Sequence, residues 1–268
     1  AEVVPFYDHL RRGWGARIAR ESDDFTPYDG FVPEAGEHRV LFGENATPLS
    51  YRQLETIARC PRAYFFGYVL GVNPPAVYDV DPNEWLSASD RGVILHVAFK
   101  VFVRTLAERG EKPTLNHRQE LYRILDGLIE QKKEVFPPPG PAIYDQDVAW
   151  LRRAADYFLS AEVKADADYS RVHCEVSLGL PQGDDRTPLD DGEPVRVKLP
   201  DGRTVRGRGR LDRVEVTPEG YYAIWDYKTG TSQGLIGGDL FQQGRRLQSV
   251  FYLACLLYTS DAADDLLC

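Results

Sequence analysis

A chain of 268 residues that is 43% hydrophobic and 27% charged is long enough to bury a proper core and has the ordinary balance of a soluble globular protein. No apolar run approaches the roughly 18 residues of a membrane span and no signal-peptide pattern opens the chain; four scattered cysteines with no C-x-x-C pair argue against a disulfide framework or a self-contained zinc site, so a cytoplasmic protein is expected. The formal charge of −9 argues against an isolated nucleic-acid-binding domain, which is normally basic.

Residues 1 to 45 read as irregular, with turn signals at TPYDG and PEAGEH. Ser50 and Gln53 then form an S-x-x-Q capping box that opens a helix through YRQLETIARCPRAYFFGYVLGV, which Pro61 should kink or restart. Further helices are predicted from about Ser89 to Ala107, around 115 to 135, and from Tyr144 to about Ala167, the second of these ending before the break FPPPGP. Strand-like runs follow at 172 to 180, 203 to 216 and 221 to 228, and a last helix begins near 240. Helices first and strands later predict an α/β (α+β) domain with a helical elaboration ahead of its sheet.

The chemistry concentrates in GRLDRVEVTPEGYYAIWDYKTG, residues 209 to 230. In a strand, residues i and i+2 share a face, so Asp226 and Lys228 point one way and Trp225 and Tyr227 the other. A three-residue loop, Pro218, Glu219 and Gly220, with glycine last for a left-handed conformation, sets Asp212 opposite Asp226. Two carboxylates across a ladder repel. A Mg²⁺ or Mn²⁺ ion resolves the conflict, and a lysine beside it can orient the attacking water and stabilise charge on a phosphate. A bare D-x-K is a weak signal, and a surface hairpin with a solvated Asp–Lys pair is the competing reading.

Company strengthens the first reading. The blocks GRLDR, DYKTG and QSVFY (248 to 252), the RGVILH that supplies Gly92 and His96, and the helix ending in Cys60-Pro61 plus aromatics resemble the PD-(D/E)XK nuclease superfamily in its RecB/AddB-type branch. That resemblance covers roughly residues 46 to 254 and implies a restriction-endonuclease-like core, a mixed central sheet flanked by helices. It implies His96, Asp212 and Asp226 as metal ligands with the Tyr227 carbonyl as a fourth, and Lys228 positioning or activating water. It also implies Gln248 and Tyr252, one turn apart on the last helix, holding Lys228 or the DNA backbone. A lone histidine within VILHVAF also reads as a satisfied core residue, and Gln248 and Tyr252 as ordinary residues of an amphipathic helix. Glu175, on the first strand, is a possible support for the site.

Cys60 matches the first of four iron-sulfur ligands in AddB-type relatives, but a [4Fe-4S] cluster needs four thiolates; Cys60 is then an orphaned ligand or a small hydrophobe, and Cys174 is expected to be buried. Arg203, Arg206, Arg208, Arg210 and Arg213 line the strand that carries Asp212, and Arg245 and Arg246 precede Gln248. Of these Arg208, Arg210 and Arg213 are candidate DNA contacts, against the alternative of a solvated, edge-protecting strand face. Residues 1 to 45 are expected to be a linker from a helicase-side region, consistent with the absence of methionine. Back-translated, the last fourteen residues, CLLYTSDAADDLLC, resemble a sequencing-library adaptor. Residues 255 to 268 are therefore expected to be read-through, and without Asp261, Asp264 and Asp265 the formal charge is −6. The expected function is a metal-dependent DNA exonuclease domain of a RecB/AddB-like helicase-nuclease in double-strand-break repair. Its partners would be linear DNA ends, a helicase domain in the same chain and a partner helicase-nuclease subunit. A tether of that kind would make high DNA affinity unnecessary. The alternatives are a stand-alone CRISPR-associated or phage-type exonuclease, and a catalytically silent nuclease-like DNA-binding module.

Overall fold

The computed structural model describes residues 7–29, 31, 41–43, 45–72, 81, 83–165, 171–181, 186–199, 201–217, 220–228 and 246–259. The chain divides into two compact units, Ala1–Thr47 and Pro48–Cys268.

The first unit is not irregular throughout. Helix α1 spans Asp8–Glu21, and none of its residues is buried. Its surface is laced by Asp8–Arg11 at 2.8 Å and Arg17–Glu21 at 2.9 Å, pairs at helical spacing that support the helix, while Leu10, Trp14 and Ile18, four residues apart on one face, all remain exposed. Gly13 and Gly15 lower its propensity and obscure the short apolar repeat of Leu10, Trp14 and Ile18. The turn expected at TPYDG is present through Asp29, which accepts from the Thr26 N–H at 3.0 Å and its hydroxyl at 2.7 Å. The PEAGEH turn lies outside the described residues.

In the second unit α2 (Tyr51–Arg59) begins at Ser50 with the anticipated capping box. Pro61 restarts the helix: Cys60 caps α3 (Pro61–Tyr64), its Sγ accepting from the Ala63 N–H at 3.4 Å, and one π-turn follows over Phe65–Val69. Helix α4 (Ala88–Arg109) opens one residue earlier than anticipated because Ser87, paired with Asp90, is the cap. Helices α5 (Arg118–Val135) and α6 (Pro141–Ala165) lie on either side of the proline break.

Leu95, Phe99, Phe102 and Leu106 form the stripe of α4 that packs on Leu121, Leu125 and Ile129 of α5 and on Leu151, Ala155, Phe158 and Leu159 of α6, making the first core. Spacings of three and four residues put each set on one helix face. Burying a side chain of this size is worth about 1.5–3 kcal/mol.

Strands β1 (Val172–Leu178), β2 (Val195–Lys198), β3 (Thr204–Gly207), β4 (Gly209–Val216) and β5 (Tyr222–Trp225) form two small sheets, in the orders β1-β4-β5 and β2-β3. All of these pairs are antiparallel, and parallel contacts among the described residues are two isolated bridges, Leu49↔Gly207 and Leu178↔Asp191. The anticipated run 203 to 216 breaks at Arg208 into β3 and β4, and the four-residue β2, preceded by a turn-rich stretch, carries too short a pattern to be read from sequence. Helix α7 (Gln248–Thr259) seals a second core, where Phe251, Tyr252, Cys255 and Leu256 meet Val176, Leu178, Leu211 and Val214. Cys255 and Leu256, assigned from sequence to the read-through tail, are thus packed inside; residues 260 to 268 lie outside the described residues.

The sheet changes faces at one point. Cys174 lies in the first core while Val176, two residues on, lies in the second, whereas regular alternation would keep both on one face. Between them Glu175 has φ 59°, the one positive value among described non-glycine residues. A left-handed glutamate costs about 1–3 kcal/mol. On the neighbouring strand Asp212 stands at the matching position, between the pairs Cys174↔Arg213 and Val176↔Leu211.

Candidate active site

The site grows from this switch point. Continuing the β4–β5 register one step past Arg213↔Trp225 puts Asp226 across from Asp212, and the β1–β4 register puts Glu175 on the other side of Asp212. Three acids therefore share one row, and two of them, Asp212 and Asp226, line a cavity of about 950 Å³ together with Arg52, His96, Arg208, Arg210, Lys228, Gln248 and Tyr252. The hairpin has the anticipated build: the Thr217 N–H donates to the Tyr221 carbonyl at 2.8 Å, and Gly220 has φ 91°; Pro218 and Glu219 lie outside the described residues.

His96 joins the row from α4, the helix that also builds the first core. Its Nε2 is 3.0 Å from Glu175 Oε1 and its Nδ1 3.6 Å from Asp212 Oδ2. The hydrogen bond to Glu175 raises the imidazole's pKa, burial opposes it, and Asp212 adds to the rise; the same bond holds Glu175 low. Burial raises the Asp212 carboxyl, the Tyr227 N–H at 2.9 Å and His96 pull it back, and Asp226 and Glu175 push it up further.

Asp226 and Lys228 lie just past the end of β5 and pair directly, Nζ to Oδ2 at 2.7 Å. Gln248, the first residue of α7, donates from Nε2 to Asp226 Oδ1 at 2.8 Å; its partner is the carboxylate rather than Lys228. Tyr252 is hydrogen-bonded to Gln248, and burial raises its phenol, which therefore stays protonated. It packs edge-on to Tyr51 with centroids 5.4 Å apart. Gly209 makes room for it, since a Cβ there would lie 2.7 Å from Tyr252 Cε1. Tyr51 and Arg52 reach the cavity because Leu49 bridges to β3, its N–H donating to the Arg206 carbonyl at 2.8 Å.

Arg213 is corrected as a DNA contact. It is fully buried and faces away from the cavity, with Glu162 of α6 and Glu215 as its ion-pair partners. Arg208 and Arg210 do line the cavity, and Arg210 Nε also donates to Ser177 Oγ at 3.3 Å. Arg203 instead pairs with Asp201 at 2.7 Å, and Arg245 lies outside the described residues. The sequence reading underweighted Glu175, whose signal is the β1–β4 register. It missed Arg52, which reaches the site through the Leu49 bridge, a long-range contact with no local signature.

The donor set fits a hard divalent cation: partly buried carboxylates crowded on one row with an imidazole, a concentration of negative charge that such an ion relieves. Asp212, Asp226 and His96 are the residues that would hold it, His96 after losing any proton it carries. As they stand the donors are engaged with one another, with Lys228 and with Gln248, and among the described residues no group of three or more His, Cys, Asp or Glu is arranged to hold a metal ion. The described cysteines do not fit an iron-sulfur cluster. Cys60 is exposed, while Cys174 and Cys255 sit in different cores with thiols pushed by burial up to about 11 and about 12.

Two aspartates and a lysine at the end of a strand hairpin, with a helix histidine and a glutamine of the closing helix beside them, are an arrangement suited to metal-assisted phosphodiester cleavage. Residues 48–265 match the family model of the PD-(D/E)XK nuclease superfamily, and the chain belongs to that superfamily. Among curated proteins it is similar to one subunit of the ATP-dependent helicase/deoxyribonuclease of Symbiobacterium thermophilum, 28% identical over 230 residues, covering 82% of this chain and 18% of that protein. The protein of the same name from Clostridium perfringens is 24% identical over 259 residues, 92% of this chain and 21% of its own. The one from Thermoanaerobacter sp. is 27% identical over 272 residues, 97% and 22%. The chain thus spans about a fifth of the length of these relatives. No helix among the described residues is long and apolar enough to cross a membrane.

Proposed function

We propose that this chain is a Mg²⁺- or Mn²⁺-dependent DNA exonuclease domain that acts within a helicase-nuclease of the kind its relatives are named for. On this reading it trims DNA ends in double-strand-break repair in the cytoplasm, alongside a helicase region of the same chain and a second, partner protein. The observation that carries the reading is the convergence of Asp212, Asp226 and Lys228 on one cavity, with Gln248 bonded to Asp226.

A divalent cation supplies positive charge that polarises a scissile phosphate and makes water a better nucleophile near neutral pH. Asp212 and Asp226, with His96 and the Tyr227 carbonyl, would hold the cation. Lys228, on the Asp226 side of the cavity, holds the attacking water in line and offsets charge on the phosphate, leaving a 5′-phosphate and a 3′-hydroxyl. Gln248 fixes the Asp226 carboxylate, and Glu175 fixes the imidazole of His96. Arg208 and Arg210, with Arg52 on the facing helix, give the acidic centre a basic rim that the DNA backbone can follow. Cleavage of end-labelled linear DNA that needs added Mg²⁺ or Mn²⁺ and stops with a chelator tests the reading. A folded protein that binds DNA and leaves it intact would make the domain a silent binding module.

A further inference from the structure

The segment that carries Asp226 and Lys228 lies beyond the last rung of the sheet. The β4–β5 ladder ends at Arg213↔Trp225, so residues 226 to 228 are held by something other than strand pairing. Two contacts do it. The Tyr227 N–H bonds Asp212 Oδ2 at 2.9 Å, and the Tyr227 side chain is driven into the first core, edge-on to Phe99 at 5.5 Å and Phe158 at 5.7 Å.

Behind that anchor lies Arg213. Its Nη1 donates to both oxygens of Glu162 at 2.9 Å and approaches the Tyr227 hydroxyl at 3.3 Å, its Nε donates to Glu215 Oε1 at 2.9 Å, and its guanidinium lies 4.9 Å over the Trp225 ring. One side chain, 0% exposed, thus ties α6, β4, the end of β5 and the segment after it. Burying an arginine with two glutamates is a poor way to gain stability, since apolar residues of equal volume do as well or better. The rigid fork of donors, however, specifies geometry that no apolar packing reproduces. Arg213 sits next to Asp212 in sequence and touches Tyr227, the residue between Asp226 and Lys228.

We propose that Arg213 is a positioning residue for the cleavage reaction: from the side of the sheet away from DNA, through Tyr227 and Glu162, it sets the spacing of Asp212 from Asp226 and Lys228. This rests on the nuclease reading. The test compares wild type with Arg213→Lys, which keeps the charge and loses the fork, and with Tyr227→Phe and Glu162→Gln, which each remove one contact. The direct readout is the hydrogen-exchange rate of the Tyr227 amide, measured by NMR against the amides of Val176 and Leu211 in the same sheet.

In Arg213→Lys the Tyr227 amide is expected to exchange about tenfold faster relative to those references, and in the two milder variants about two- to threefold faster. DNA cleavage by Arg213→Lys is expected to show kcat lower by about tenfold or more with KM nearly unchanged. If Arg213→Lys does not fold, Tyr227→Phe and Glu162→Gln decide by the same readout. A lower unfolding midpoint with unchanged relative exchange at Tyr227 and wild-type kcat would make Arg213 merely structural and overturn the proposal. A wild-type protein that leaves DNA uncut overturns the nuclease reading instead, and the exchange data still decide whether Arg213 positions the segment.

Discussion

Gln248 donates a 2.8 Å hydrogen bond to Asp226 across 22 residues of chain, joining the first turn of the closing helix to the carboxylate at the end of the hairpin. A bond to a charged group is worth about 1.5–3 kcal/mol. Gln248→Ala should therefore slow single-turnover cleavage by roughly 10- to 100-fold. Gln248→Glu, which sets a second anion against Asp226, should slow it at least as much. Quench-flow rates at saturating metal and DNA check both.

Gly209 makes room for Tyr252, and Gly209→Ala puts a methyl 2.7 Å from the ring. Tyr252 is buried and held between Tyr51 and the second core, so it has little room to yield. The expected loss is about 1–3 kcal/mol, read as a lower urea midpoint. Activity of the folded fraction should fall as well, because Gln248 rides on the same helix.

Arg208 and Arg210 line the cavity, and Arg213 is buried. Arg208→Ala and Arg210→Ala should each weaken DNA binding in chelator and reduce the slope of log K against log salt by about 1. Arg152→Ala, on the exposed pair with Asp126 far along α6, should leave both unchanged. Anisotropy titrations at several salt concentrations distinguish them.

Asp90 couples the start of α4 to α5: it pairs with Lys132 at 2.7 Å and bonds Ser87, and these contacts, the lysine's first, lower its pKa. A carboxyl lowered on folding stabilises the protein above its unfolded value, about 3.9, and that contribution disappears as pH falls through the folded value. Being partly exposed, the pair is worth no more than about 1 kcal/mol. Asp90→Asn should thus lose stability at pH 7, with the gap to wild type closing below about pH 4. Denaturant midpoints from pH 7 to pH 3 check the sign.

Much of the site was legible because its spacing is local. The odd loop ending in Gly220 needs only hairpin geometry, and the capping box at Ser50 only helix chemistry, whereas β5 ends at Trp225, short of the strand expected through residue 228. What could not be read depends on distant partners. Glu175 matters because a left-handed residue reverses β1 beside Asp212, and Arg213 leaves the arginine row because α6 supplies Glu162. Helix α1 escaped because Gly13 and Gly15 weaken its propensity and its apolar repeat, Leu10, Trp14 and Ile18, is short and flanked by charge.

The most direct test of the central claim is Mg²⁺- or Mn²⁺-dependent cleavage of end-labelled linear DNA by wild type and Lys228→Ala. Lys228 contacts Asp226 and is half exposed, so its loss should spare the fold. The account predicts metal-dependent cleavage by wild type and a rate lower by about 10²-fold or more in a variant of unchanged unfolding midpoint and DNA affinity. Equal cleavage by both proteins, or none by a folded wild type that binds DNA, would contradict it.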